Sequence, residues 1–335
     1  MTGAEQLIRE ITTSSLADEV RDALARRWQP GDGRIHEISR YALLAPGKLL
    51  RPLLLAATAE TCGAPREQVL PAALAVEYLH VASLVHDDII DGDDLRRGRA
   101  SVHARFGMSD AIVTGDALLF QVFASLAECA DRGASDRAVL AAIGVLAKAG
   151  VDLCEGQAQE ARLAAAADGT VAEYLRVAEL KTGALFRGAC RAGALLAGAE
   201  PATADGITRY AEHAGLAFQL RDDVLPYVGD AAVVGKPDTS DAANLRLTMP
   251  VLLAREVAGP QDRAALDRAL TADLTARERF AVLTEVLDRT GALEKTQQRA
   301  EAEAALAEAE LESLSPSEGR DLLSALARLS TSRDR

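Results

Sequence analysis

Residues 70–90 read LPAALAVEYLHVASLVHDDII, a stretch that is apolar almost all the way round a helix and then ends in His86, Asp87 and Asp88, with Asp91 just beyond. A helix without a polar face belongs inside a large bundle. Carboxylates at its end are costly to bury unless they are paired or hold a metal, so this terminus calls for a partner. Positions i and i+4 share a helix face, which projects Asp87 and Asp91 together. Carboxylates along one face suit a hard cation such as Mg²⁺, which takes oxygen ligands and keeps the rest of its octahedron for water and phosphate. Read alone, the pentad could equally be an exposed polar helix end.

The same 3.6-residue apolar period continues outward through most of the chain, over 4–28, 35–62, 67–92, 108–131, 135–165, 170–198, 202–226, 247–257, 261–289 and 291–313. Short Gly, Pro, Ser and Asp clusters separate these spans. Ala and Leu dominate while aromatic residues make up only 4%, which favours helix over strand. A last helix is expected before DLLSALARL, with Ser315 as its cap, Pro316 at the first helical position and Glu318 completing a capping box. No linker, repeat or strand-rich region interrupts the pattern. The expectation is an all-α fold in one domain, 1–335.

Lys and Arg number 37 against 50 acidic residues, a net charge of −13, and no basic stripe of the kind a nucleic-acid partner needs is visible. Cys62, Cys129, Cys154 and Cys190 form no CxxC pair and read as buried thiols in a reducing compartment. The start, MTGAEQLIREITTSS, is acidic and helical rather than signal-like. No charge-free apolar run reaches the roughly 18 residues of a transmembrane segment. These features predict a soluble, cytoplasmic protein.

A second acidic pair, Asp222-Asp223, closes another apolar run in HAGLAFQLRDDVLPY. Two such pairs on separate helices can face one another across a cavity, where divalent cations between them would neutralise a bound diphosphate. Cations lie near both pairs. GKLLRP at 47–52 sets Lys48 and Arg51 three residues apart on one helix face, and Arg96-Arg97-Gly98 follows the first acidic motif. Lys181-Thr182-Gly183 and Gly235-Lys236-Pro237 add more. Arg grips phosphate oxygens in pairs and Lys supplies a point charge. The GxxxxGK[ST] nucleotide loop is absent. His80, seven residues before Asp87, lies two turns away on about the same face, as a cavity-lining or a packed core residue.

From about residue 40 to 255 the chain resembles the trans-isoprenyl diphosphate synthases (polyprenyl synthetases) of the medium- or long-chain type. The likeness rests on GKLLRP at 47–52, EYLHVASLVHDDIIDGDDLRRGRASVH at 77–103, GDALL at 115–119 and GQ at 156–157. It continues through KTGALF at 181–186, FQLRDD at 218–223, GKP at 235–237 and TMP at 248–250. The resemblance implies the isoprenoid synthase fold, a large antiparallel helix bundle around a central pocket, usually as a homodimer. It implies head-to-tail condensation of isopentenyl diphosphate with an allylic diphosphate, with Mg²⁺ as cofactor, three ions when diphosphate is bound. Asp87, Asp88 and Asp91 would form the first aspartate-rich motif and Asp222 and Asp223 the second, with Asp87, Asp91 and Asp222 as metal ligands. Arg96, Lys181 and Lys236 would contact the allylic diphosphate, with Thr182 and Gln219 nearby. Lys48, Arg51, His80 and Arg97 would bind isopentenyl diphosphate. No side-chain nucleophile is needed. Loss of pyrophosphate gives an allylic cation, the isopentenyl double bond attacks it, and the released pyrophosphate takes the proton, while an apolar pocket keeps water away.

The chain departs from this pattern at three places. Pro226 stands where the second motif has its third Asp, and it removes the amide that would bond the carbonyl of residue 222, so the helix is expected to kink or end there. Leu245 replaces a glycine beside Arg246, itself in place of a lysine among the substrate-binding residues, and Pro46 replaces a glycine before Gly47. Ala82 and Ser83, five and four residues before the first Asp, are small where a bulky residue would block the tail pocket. Phe120 and Phe123 would set a deeper floor, for products of C20 or longer. Two other readings stand beside this one. A class I terpene cyclase is invited by Pro226 but has no use for Lys48, Arg51, His80 and Arg97. A non-catalytic subunit of a heteromeric synthase would usually lack one aspartate motif, and this chain keeps both.

Overall fold

The computed structural model describes residues 3–166, 168–228, 246–271 and 274–329. The chain begins with α1 (Gly3–Thr12), α2 (Ser15–Arg27), α3 (Arg34–Leu43), α4 (Leu50–Thr61) and α5 (Arg66–Asp91). A two-residue hairpin, β1 (Leu95–Arg96) and β2 (Arg99–Ala100), leads into α6 (Val102–Phe106), α7 (Met108–Asp131) and α8 (Asp136–Ala166). Next come α9 (Val171–Ala178), a π-helical segment (Glu179–Gly183), α10 (Ala184–Leu196) and α11 (Pro201–Val228). The chain continues with α12 (Met249–Val257), α13 (Pro260–Thr271), α14 (Ala276–Thr290), α15 (Ala292–Leu311) and α16 (Glu318–Leu329). The fold is all-α, as its Ala- and Leu-rich pattern dictates.

α5 carries the deciding stretch and packs between α4 and α7, with Val69, Ala72, Val76, Tyr78 and Ala82 buried. Pro71 sits inside it. A proline there leaves the carbonyl four residues earlier without its helical partner, and that carbonyl, of Glu67, accepts from Arg132 Nη1 at 3.3 Å. The carbonyl of Pro71 itself accepts from Ser125 of α7 at 2.8 Å. α10 lies against α4 and α8, and α11 against α15. One buried cluster joins α2 to α8, α10, the first half of α11 and α16. A second joins α9, Leu220 of α11 and α12 to α15. α11 belongs to both, and its acidic pair lies just past Leu220.

Several boundaries differ from the sequence reading. The span 35–62 divides into α3 and α4, so Lys48 and Arg51 do not share a helix face: Lys48 lies in the connecting loop and Arg51 in the first turn of α4. Leu49 makes the break with a left-handed backbone at φ 54°. Pro52 then fits the first turn, where its missing amide would go unpaired in any case. α16 begins later than expected, because Ser317 rather than Ser315 accepts from the amide of Arg320, at 3.1 Å. α11 does not stop at Pro226 but runs on to Val228. Its last turn is held from outside, where Tyr227 stacks on Phe280 of α14 at 5.1 Å between ring centres. Lys236 and Leu245 lie outside the described residues. Counting charge-free runs also misses that α5 and α7 are both long and apolar enough to cross a bilayer. α5 spends that apolarity inside the bundle, whereas much of α7 is exposed.

Candidate active site

The loop before α4 and the hairpin after α5 meet at a cavity of about 360 Å³, lined by Gly47, Lys48, Arg51, Glu77, His80, Arg97 and Phe218 among others. Leu49 and Arg97, at φ 54° and 53°, are the non-glycine residues with positive φ among those described, and both line this cavity. Such backbone is costly away from glycine and collects at functional sites. Arg97 and Gly98, both with positive φ, form the tight turn of the hairpin, as a two-residue β-turn of that type requires. Arg97 Nη1 then donates to the carbonyl of Pro46 at 3.0 Å. A side chain at Gly47 would collide with the same guanidinium, its Cβ falling 2.3 Å from Arg97 Nη1.

Arg51 reaches inward from α4, over the Phe186 ring at 5.6 Å, and donates to His80 Nε2 at 3.2 Å. Because a guanidinium only donates, His80 Nε2 must accept, so the imidazole is neutral. Burial, reinforced by Arg51, Arg97 and Arg96, holds the His80 pKa well below its ordinary value of 6.5. Glu77, one turn before His80 on α5, is 3% exposed. Burial pushes its carboxyl pKa up, against the pull of Arg97 and Arg51. Arg51 also feels the charge of Asp222, which ties the second acidic pair to this cavity.

Asp223 of that pair borders a smaller cavity of about 80 Å³, with Glu160, Lys181, Gln219 and Arg246. Lys181 Nζ donates to Glu160 Oε2 at 2.6 Å, and Arg246 donates to Asp91 at 2.5 Å while lying 3.9 Å from Glu160. Burial raises the pKa of Asp87, with Lys181, Asp91, Glu160 and Arg246 as its charged neighbours. Asp87 and Asp91 therefore share one cluster, as their spacing predicts.

Asp88 does not join them. It is 3% exposed and accepts from Arg96 Nε at 2.8 Å, so both groups are committed to holding the hairpin against α5. Asp223 is turned inward as well. Its Oδ1 accepts from Gln219 at 2.9 Å and its Oδ2 from the amide of Met249 at 2.8 Å, pinning the start of α12. Thr182 donates to Gln219 at 2.5 Å, so Thr182, Gln219, Asp223 and Met249 form one chain of bonds. Between its buried neighbours Arg221 and Asp223, Asp222 is exposed. Arg221 donates to the carbonyl of Leu329 at the end of α16.

The structure thus brings Lys48, Arg51, His80 and Arg97 together, and separately Asp87, Asp91, Lys181, Gln219 and Arg246. Ala82 is fully buried and Ser83 half-buried, the Ser83 hydroxyl donating to the carbonyl of His80 at 2.7 Å. Phe120 and Phe123 correct the sequence reading: they are 73% and 44% exposed and point outward, because Leu118, Val122, Ser125 and Leu126 occupy the buried face of α7. The sequence reading passed over Glu160, Glu77 and Phe218. Glu77 had a signal, as a lone acid inside an apolar run one turn from His80. Glu160 had only its place in GQAQE, where it reads as one more solvated glutamate.

A sequence model of the polyprenyl synthetase family matches residues 32–287. The chain belongs to the polyprenyl synthetase family. It is 33% identical over 321 residues to a short chain isoprenyl diphosphate synthase of Methanothermobacter thermautotrophicus, covering 92% of this chain and 97% of the relative. It is 30% identical over 328 residues to the octaprenyl diphosphate synthase of Escherichia coli, covering 98% of each. The solved structure of a polyprenyl synthase from Caulobacter crescentus, complexed with calcium and isoprenyl diphosphate, matches with a TM-score of 0.87 and 31% identity, over 99% of this chain and 98% of that one. This polyprenyl synthetase is accordingly a prenyltransferase of isoprenoid biosynthesis with the isoprenoid synthase fold.

Proposed function

We propose that the enzyme condenses isopentenyl diphosphate head-to-tail with an allylic diphosphate, in a Mg²⁺-dependent reaction that gives a trans-polyprenyl diphosphate of C20 or longer. The observation that carries this reading is the pair of unlike cation-lined cavities that α11 borders, one at Phe218 and one at Gln219 and Asp223. A cyclase would have no use for the larger one, with Lys48, Arg51, His80 and Arg97.

Isopentenyl diphosphate enters that cavity, where Lys48 and Arg97 meet its phosphates at the rim and Arg51, braced by Phe186 and neutral His80, meets them deeper. Fixed cations that need no rearrangement suit a substrate whose diphosphate is kept. The allylic diphosphate takes the smaller cavity, where Lys181 and Arg246 turn from Glu160 and Asp91 to its oxygens. Asp87, Asp91 and Asp222 present only hard oxygen donors, which fits Mg²⁺ or Ca²⁺. Among the described residues no three acidic, His or Cys side chains form a ready-made metal cage, so phosphate oxygens would complete the coordination. When bound, Mg²⁺ supplies the positive charge that stabilises the departing pyrophosphate. Phe218 and Phe186, 5.5 Å apart, present apolar surface beside the reacting carbons and help to keep water out.

Small residues at Ala82 and Ser83 support a long product, and similarity to both short chain and octaprenyl enzymes leaves length to experiment. Ala82→Phe shortens the main product by at least one C5 unit, read by chromatography; an unchanged product removes Ala82 from the tail pocket. We place the enzyme in the cytoplasm, and the outward face of α7, with Ile112, Val113, Phe120 and Phe123 exposed, supports a homodimer sealed by a second copy of this face. Sedimentation of Phe120→Glu as a monomer, against a dimeric parent, tests it. The deciding assay supplies Mg²⁺, labelled isopentenyl diphosphate and C5 to C20 allylic primers. Elongated labelled products support the synthase. A primer converted to hydrocarbon or alcohol, with the label left in isopentenyl diphosphate, makes the enzyme a cyclase.

A further inference from the structure

The π-helical segment Glu179–Gly183 carries Lys181 and Thr182, and it is wedged between two glycines on different helices. On α8, a Cβ at Gly156 would fall 2.9 Å from the backbone nitrogen of Lys181 and 3.0 Å from Leu180 Cβ. On α11, a Cβ at Gly215 would fall 3.2 Å from Gly183 Cα and 3.3 Å from Phe186 Cβ. A π turn swells a helix by one residue and tends to occur at functional sites, and only glycine lets a neighbouring backbone come this close.

The same two helices also hold the side chains of the bulge. One turn beyond Gly156, Glu160 accepts from Lys181 at 2.6 Å; one turn beyond Gly215, Gln219 accepts from Thr182 at 2.5 Å. The spacing is four residues in both cases, GQAQE at 156–160 and GLAFQ at 215–219. Four residues is one helical turn, so each helix offers a socket and, directly above it, an acceptor.

We propose that Gly156 and Gly215 are positioning residues that clamp the bulge from opposite sides and so aim Lys181 and Thr182 into the allylic diphosphate cavity. They act through the register of the bulge and touch no substrate. The inference rests on the function proposed above for Lys181 and Thr182. Gly156 separates the two substrates, because it meets only Lys181 and Leu180, whereas Gly215 also meets Phe186, which lies under Arg51.

The test is Gly156→Ala and Gly215→Ala in the full chain, with steady-state kinetics for each substrate and hydrogen exchange over residues 179–183. Alanine at Gly156 forces the bulge to shift, and alanine at Gly215 presses on it more gently. Since misplacing a substrate-holding group by about 1 Å costs about 100-fold, these smaller shifts cost about 10-fold. The expected result for Gly156→Ala is an allylic KM raised by that factor, an isopentenyl diphosphate KM within about twofold, and faster exchange confined to 179–183. Gly215→Ala, which also presses on Phe186 beneath Arg51, raises the allylic KM with faster exchange centred on the same residues. Folded variants with an unchanged allylic KM overturn the proposal, as does an equal rise in both KM values with general loss of stability. If Gly156→Ala fails to fold, Gly215→Ala, with its looser contacts, decides by the allylic KM and by exchange over 179–183. A parent enzyme that does not elongate primers sinks the functional reading, while exchange over 179–183 still reports whether the glycines hold the bulge.

Discussion

The two cavities that α11 lines, one through Phe218 and the other through Gln219 and Asp223, are built on opposite electrostatic plans. In the larger, Lys48, Arg51 and Arg97 face one carboxyl, Glu77, and a neutral His80. Arg51 is positioned by rings and Arg97 by strained backbone rather than by counter-charges. In the smaller, each cation already has an anion: Lys181 has Glu160 and Arg246 has Asp91. A site with surplus positive charge attracts a diphosphate unaided. A site whose cations are paired needs extra positive charge before a diphosphate displaces those partners. On the function proposed above, the difference assigns the metal requirement to one substrate, although both carry the same headgroup.

The largest effect should come from the paired side. Asp87→Asn lowers kcat by about a thousandfold and leaves isopentenyl diphosphate affinity unchanged by calorimetry. Chelating divalent cations in the parent enzyme has the same selectivity, weakening the allylic diphosphate by about 100-fold. Equal weakening of both substrates would erase the contrast between the cavities. On the other side, Gly47→Ala drives the Arg97 guanidinium from its place against Pro46. The isopentenyl diphosphate KM rises about tenfold, roughly 1.4 kcal/mol, with the allylic KM unmoved. A rise in the allylic KM instead would assign Arg97 to the wrong substrate.

The smallest effect is on stability. His80 stays neutral in the fold, so the unfolded chain takes up a proton that the folded chain refuses once the pH drops below 6.5. His80 therefore contributes nothing to pH dependence above that value, and below it stability falls by up to about 1.4 kcal/mol per pH unit. Urea unfolding of the parent and His80→Gln between pH 7 and 5 measures this, the parent losing more. Parallel curves would mean that His80 is charged in the fold and that Arg51 has another acceptor.

Much of this was legible in the residues. The apolar run at 70–90 named the central helix, and the i, i+4 spacing put Asp87 and Asp91 together. The facing direction of adjacent residues was less legible. Asp88 and Asp223 look like further ligands in DDIID and RDD, yet each is consumed by a neighbour, Arg96 and the amide of Met249, that no local pattern announces. Pro226 misled for a related reason. Local propensity favours a break, and the stack of Tyr227 on Phe280 keeps the turn helical. Phe120 and Phe123 read as a floor of the tail pocket from their place on the helix after GDALL, but α7 turns that face outward. The π segment has no signature in KTG, and the glycines that pack against it stand on two other helices.

One consequence follows from the way the second acidic pair is anchored. Arg221 holds the last turn of α16 and Asp223 holds the first turn of α12, and Asp222 stands between them with its carboxyl exposed. A mutational scan scored by product formation would rank positions 222 and 223 as equals. The first loss would be a missing charge that added cation could partly offset. The second would be a detached helix that no amount of cation restores, so a titration separates two phenotypes that a single-point screen would merge.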